Sequence, residues 1–322
     1  MSRMHTGLAL GVVLVAAWMP CWRTAGNERE DAPASDKKGL RIHEWGVLLR
    51  QGCYIGKAAG GNGAEPPAFF QRFPLPPSGF SFQDLAEKPV LHIYVTEPTP
   101  LTVTVRFGRK GNPTLAWPPA EVKNSLGYTL TWKLQAGAKS PQPPGVPSGH
   151  WVEAARKVGA SRLICGKDAE DFLFYEGSIE VPCGCTIFKG LNGNYCTSFD
   201  MIGLGPEEAW YLEDGKGIHI PDGRATPERP RPQAFEIKPS ELKTLNVLAL
   251  RTQLAAALAR AGLSEKEAGV LLDLWMPEFV KPGKRLIYVM PREIYDGLFP
   301  INVTPRPEEL QRVGLVVDTV IP

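Results

Sequence analysis

Apolar and polar positions alternate over two stretches of the N-terminal half. Leu101, Val103, Val105 and Phe107 fall on one face against Thr102, Thr104 and Arg106, and Tyr128, Leu130, Trp132 and Leu134 repeat the arrangement against Thr129, Thr131 and Lys133. A period of two marks half-buried β-strands. Shorter runs at 162–165, 172–175, 186–189 and 209–213 read the same way, and the proline-rich stretches 66–77, 113–119 and 141–147 between them fit the long connections of an antiparallel system.

After a further proline-rich segment, 221–239, the period changes. Val247, Leu250, Leu254, Leu258 and Ala261 lie on one stripe of a helix that Ser240 can cap and Gly262 can stop. Ser264 and Glu267 have capping-box spacing and open a second helix through Trp275, halted by Pro277. Residues 285–290 (RLIYVM) then predict a buried strand, Pro291 the first turn of a short helix through Leu298, and 313–317 a last strand. The expected fold is α+β. A β-rich, antiparallel, sandwich-like body occupies 40–236, and a C-terminal α+β portion, 237–322, holds a helical hairpin followed by strand, helix and strand.

The first 25 residues follow neither period. Arg3 precedes an apolar run from Gly7 to Met19, followed by Pro20, Cys21 and a small-residue exit near Ala25, the pattern of a secretory signal. The run is shorter than the roughly 20 residues a spanning helix needs, so no permanent membrane span is expected. Residues 26–39 (GNEREDAPASDKKG) are polar throughout and read as a tether between signal and fold. An exported chain, periplasmic or extracellular, meets an oxidising compartment where nucleotide cofactors are scarce, and no cofactor is expected.

Composition narrows the partners. Residues 1–25 hold two arginines and no acids, so beyond them 34 basic residues face 34 acidic ones. No basic stripe of the kind that displaces counterions from nucleic acid is present, and nucleic acid is not an expected partner. The 31 prolines favour loops and edge strands over a helical or doubly wound fold.

Compact catalytic signatures are missing: there is no GxSxG, HExxH, CxxCH, Walker loop or GxGxxG after a strand. The densest constellation is Cys183-Gly-Cys185, with Cys165 before it and Cys196 after. In an extended segment Cys183 and Cys185 share a face and lie too far apart to bond to each other, so each seeks a separate partner among Cys165 and Cys196. Two disulfides are expected from these four. A four-thiolate metal site is the alternative, although C-x-C is not the usual C-x₂-C knuckle. Cys53 is then the odd thiol, unless Cys21 is retained to meet it.

His43-Glu44-Trp45-Gly46 opens the folded part. An imidazole beside a carboxylate can serve as a general base with its orienting group, or as metal ligands, where a turn brings both into one cleft. In a strand, neighbours point to opposite faces, so His43 and Trp45 are expected to pack inward while Glu44 meets solvent or a backbone donor. His92, in VLHIYV with Val90 and Tyr94 on its face, reads as a satisfied sheet histidine, His150 as a turn residue beside a packed Trp151, and His219 as a hairpin or edge residue.

The ordered blocks HEWG (43–46), KPVLHIYV (88–95), the Trp117-Pro118-Pro119 turn, EDFLFYEG (170–177) and GKRLIYVMPREIYDGLFPINVTPRP (283–307) resemble a family of secreted bacterial proteins that carry a His-Glu-Trp-Gly motif near the mature N-terminus. The resemblance runs through most of the chain beyond the signal. It implies a shared fold and export and brings no activity with it. The chain thus reads as an exported envelope or extracellular protein acting as a binding or structural module on an envelope or extracellular ligand. The alternative is a secreted hydrolase or metal-dependent enzyme using His43, Glu44 and His150.

Overall fold

A computed structural model describes residues 36–50, 65–74, 84–108, 111–125, 127–179, 185–189, 193–199, 206, 208–221 and 236–319, with backbone alone at 84–88, 185–189 and 196–199. The expected signal at 1–25, almost all of the expected tether, Cys21 and Cys53 lie outside these residues. The chain runs β1 (Lys37–Arg50), β2 (Gln71–Arg72), β3 (Asp84–Val95), β4 (Thr99–Arg106), β5 (Asn112–Trp117), β6 (Glu121–Asn124), β7 (Tyr128–Ala136) and α1 (Trp151–Arg156). There follow β8 (Leu163–Cys165), β9 (Asp168–Glu170), β10 (Leu173–Ile179), β11 (Cys185–Lys189), β12 (Tyr195–Phe199), β13 (Glu208–Glu213), β14 (Lys216–Pro221), β15 (Glu236–Ile237) and β16 (Lys243–Thr244). Last come α2 (Val247–Arg260), α3 (Glu265–Phe279), β17 (Lys284–Val289), α4 (Arg292–Leu298), β18 (Ile301–Thr304) and β19 (Pro307–Thr319).

The fold is β-rich α+β. A ten-stranded sheet has the order β16-β14-β13-β17-β19-β1-β3-β10-β5-β2, a six-stranded sheet holds β18-β4-β7-β8-β9 with β6 beside β7, and β11-β12-β15 form a third. Among the described ladders one is parallel, the pairing of β1 with β19. Those two strands sit at the middle of the large sheet, so residues 237–322 do not stand apart from 40–236: the C-terminal portion supplies β17 and β19 to the same sheet, and 35–322 make one compact unit.

Both faces of the large sheet are covered, which gives three layers. On one face Leu40, Ile42, Leu91, Ile93 and Tyr175 share a core with Leu101, Val103, Val105, Leu130, Trp132 and Leu134 of the six-stranded sheet. On the other, Trp45, Val47, Val90, Phe174, Ile287 and Leu315 pack under Leu250, Leu254, Leu258, Leu271 and Trp275 of the helical hairpin. Leu250, Leu254 and Leu258 of the stripe expected on the first helix are therefore buried, against the sheet that contains β17, while Val247 at its start is exposed.

Local signals were overridden at three places. Asn246, not Ser240, caps α2, accepting from the Ala249 N–H at 3.0 Å, because 239–241 form a 3₁₀ turn and 243–244 a short strand first. Pro277 lies inside α3, near its C-terminus and exposed, where the hydrogen bond it forgoes is one of the last of the helix. Pro113, expected in a connection, sits in β5. The strand that begins the fold also starts earlier than Leu40, taking in Lys37 to Gly39 from the expected tether.

Candidate functional site

Strand β1 sends His43 and Trp45 toward the helices and Glu44 toward the six-stranded sheet, as a period of two requires. Gly46 follows at an irregularity in the β1–β3 register, where an added Cβ would lie 3.1 Å from the Pro89 backbone. Each of the two polar residues enters a separate buried cluster.

On the helix side the partner of His43 is Glu267 of α3. His43 Nδ1 lies 2.9 and 3.1 Å from the two Glu267 oxygens, and Glu267 is fully buried. The same carboxylate closes the capping box, accepting from the Ser264 N–H and hydroxyl at 2.8 Å each, and takes a further hydrogen bond from the Tyr94 hydroxyl at 2.8 Å. Burial pushes the Glu267 pKa up, but the hydrogen bonds from His43 and Ser264 outweigh it and hold the group at about 2. An ionised carboxylate requires a proton on His43 Nδ1, so in the neutral imidazole the lone pair is on Nε2. That atom is buried without a hydrogen-bond partner in the protein, 3.7 Å from Glu309 Oε1 on β19.

His92 lies across the ladder from His43. Its Nδ1 accepts from Trp45 Nε1 at 3.3 Å and its Nε2 donates to the Ala155 carbonyl at 3.1 Å, which fixes the neutral tautomer. Complete burial lowers its pKa to about 4, against the pull of Glu267. The reading of His92 as a satisfied sheet histidine holds, and it ties α1 to the sheet.

Glu44 does not meet solvent, contrary to expectation, because a second layer covers its face. It is fully buried and accepts from Tyr175 at 2.5 Å, Tyr295 at 2.9 Å and Arg312 Nε at 2.6 Å. Burial and then the Glu44 charge raise both tyrosine pKa values far above their usual range. Burial opposes the charge on Arg312, and Glu44 outweighs it. Arg312 continues to Asp296 at 2.7 Å. Gly314, opposite Gly46 in the parallel ladder, leaves the room that Tyr295 fills, since a Cβ there would collide with the Tyr295 ring.

His150 belongs to neither cluster. It is the N-cap of α1, its Nδ1 accepting from the Val152 N–H at 3.3 Å and its Nε2 donating to the Glu65 carbonyl at 3.1 Å, with its ring 5.7 Å from Trp151. His43, Glu44 and His150, the residues of the alternative catalytic reading, are thus not hydrogen-bonded or ion-paired to one another. His219 lies in the β13–β14 hairpin, stacked on Trp210 and paired with Glu208 at 2.8 Å. Beside it a groove of about 140 Å³, lined by Ile218, Leu245, Leu250 and Gln253 among others, opens near the exposed Val247 and Leu248.

Cys165 is a free, half-buried thiol on β8, its Sγ 3.8 Å from the Pro119 carbonyl. Burial raises its pKa, with Asp168 and Glu121 adding to the effect. Cys185 pairs with Phe199 and Cys196 with Phe188 in the β11–β12 ladder, which sets the two cysteines three positions apart. At about 3.4 Å per residue that separation exceeds the roughly 7 Å a disulfide spans between Cα atoms. Cys183 lies outside the described residues. Among the described residues, no three His, Cys, Asp or Glu side chains converge as a metal site.

Glu267, Tyr94, Arg312, Tyr175 and Tyr295 escaped sequence reasoning. Glu267 was visible as a capping-box residue, but nothing local says that the same carboxylate also holds an imidazole 224 positions away. Comparison with protein-family models and with curated proteins found no match to the chain.

Proposed function

We propose that this is an exported binding or structural module of the cell envelope or extracellular space, rather than an enzyme built on His43, Glu44 and His150. One observation carries the reading: each of those side chains is engaged with a different set of internal partners, two of them on opposite faces of one strand. The signal-like N-terminus and the resemblance to secreted HEWG proteins support export, and the formal charge balance argues against nucleic acid as the ligand. No helix among the described residues is long and apolar enough to cross a membrane.

The test pairs thermal unfolding with hydrolytic assays on ester, glycoside and phosphate probes for His43→Gln, Glu44→Gln and His150→Gln. The module reading expects altered unfolding and no hydrolysis in any form. A wild-type hydrolytic activity that His43→Gln abolishes at unchanged melting temperature overturns it. A secreted hydrolase or metal-dependent enzyme is the second reading, favoured by the imidazole that Glu267 orients with its Nε2 unpaired.

A further inference from the structure

The ladders bring Arg41 and His43 of β1, Glu309 and Gln311 of β19, and His92 and Tyr94 of β3 together at one end of the central strands. Arg41 is drawn over the Tyr94 ring, 5.6 Å from its centroid. His43 is the side chain that faces two carboxylates: Glu267 from the helix layer at Nδ1, and Glu309 from the sheet at Nε2. We propose that His43 Nε2 and the Glu309 carboxylate bind a divalent transition-metal ion of the zinc class, with Glu267 as the group that orients the imidazole.

Three physical features support this. Metal-binding histidines characteristically donate their other ring N–H to a carboxylate, which fixes the tautomer and raises the basicity of the ligating nitrogen. Here that carboxylate is itself immobilised by Ser264 and Tyr94. Second, the His43 side chain is only 10% exposed and its Nε2 has no hydrogen-bond partner in the protein, a condition that is unfavourable for a buried polar atom. A metal bond removes that cost. Third, Zn–N and Zn–O bonds are about 2.0–2.2 Å long, so one ion can touch two atoms as much as about 4 Å apart. The 3.7 Å between Nε2 and Glu309 Oε1 lies inside that limit.

Charge points the same way. Two carboxylates face one imidazole, with Arg41 as the cation of the cluster drawn aside over Tyr94, and a metal ion supplies positive charge between His43 and Glu309 themselves. Glu309, 37% exposed, faces the solvent side by which an ion would arrive. With two protein ligands the remaining coordination positions belong to water or a small ligand, as in open rather than structural sites. The competing occupant of the gap is a proton: imidazolium would pair with Glu309 across the same 3.7 Å.

This inference goes beyond the module reading and does not depend on it. It is tested by calorimetric titration of the full chain with Zn²⁺ near neutral pH, read as the difference between wild type and His43→Gln so that binding at cysteines cancels. Wild type should take up one equivalent more than His43→Gln. Glu309→Gln, a nearly isosteric change at a partly exposed position, should weaken that equivalent about tenfold or more, and Glu267→Gln about 10- to 100-fold. Equal uptake by wild type and His43→Gln overturns the proposal, as does unchanged affinity in Glu309→Gln. Ring ¹⁵N shifts give an independent readout: a zinc-induced shift of Nε2 supports the site, and a ring protonated on both nitrogens that zinc leaves unchanged overturns it.

Discussion

His43 and Glu44 are adjacent on one strand, yet the clusters they enter are closed to different degrees. Glu44 lies between two sheets, with Tyr175, Tyr295 and Arg312 as donors, and both Glu44 and the Arg312 side chain are fully buried. His43 lies under the α2–α3 turn at the end of the sheet, satisfied at Nδ1 and unpaired at Nε2 beside a half-exposed carboxylate. The comparison separates two uses of buried polarity. Between the sheets, charge is neutralised in place and fixes how β1, β10, α4 and β19 meet, with Arg312 Nη2 left without a hydrogen-bond partner in the closed interior; under the helices, the atom left over is the His43 Nε2 acceptor, beside a carboxylate that reaches the surface.

The largest effects should come from breaking the closed side. Glu44→Ala leaves the Arg312 guanidinium buried with Asp296 as its remaining carboxylate, and removing one partner of a buried pair costs about 3–5 kcal/mol. Urea unfolding of the purified chain measures it, and a loss under about 1 kcal/mol is what a surface ion pair would give. On the opposite face Trp45→Ala should cost a similar amount, about 3–5 kcal/mol, since the ring is fully buried. Equality of these two losses would mean that the ion pair on one face of β1 counts for as much as the tryptophan on the other.

Acid should unfasten the helix side first. Folded His92 titrates near 4 and its unfolded counterpart near 6.5, so between those values the unfolded chain binds more protons. The stability that neutral His92 allows is complete above about pH 6.5 and is lost as pH falls through about 4, amounting to about 3 kcal/mol at about 1.4 kcal/mol per unit. Glu267 adds a second decline in the lower window, between its ordinary 4.5 and about 2. Urea midpoints followed from neutral pH to pH 4 should fall for wild type and stay flatter for His92→Gln. Parallel profiles for the two would remove His92 from the explanation.

Smaller changes sharpen the picture of the open side. His43→Ala removes one hydrogen bond to a carboxylate that keeps Ser264 and Tyr94, and should cost about 1–3 kcal/mol, less than Glu44→Ala. Ser264→Ala loses the N-cap of α3 and one donor to Glu267, for about 1 kcal/mol by thermal unfolding. A cost at Ser264 as large as that at His43 would mean that the cap, rather than the imidazole, is what holds Glu267 in place.

Much of the architecture was legible because it is written at short range. The alternation in β4 and β7, the stripe on α2 and the capping box of α3 each depend on residues a few positions apart, and each was found where the pattern put it. The same alternation placed His43 and Trp45 on one face and Glu44 on the other. It could not say that both faces are covered, because burial of a face depends on which layer arrives there, and here one is built from 99–136 and the other from 247–279. Nor could it name the partners: Glu267 reaches His43, and Arg312 reaches Glu44, only after β19 has docked in parallel beside β1 and the hairpin has folded over the sheet. A sequence fixes which side chains share a face through the geometry of the backbone, while the charge that meets a buried carboxylate or imidazole is chosen by contacts more than 200 residues apart along the chain.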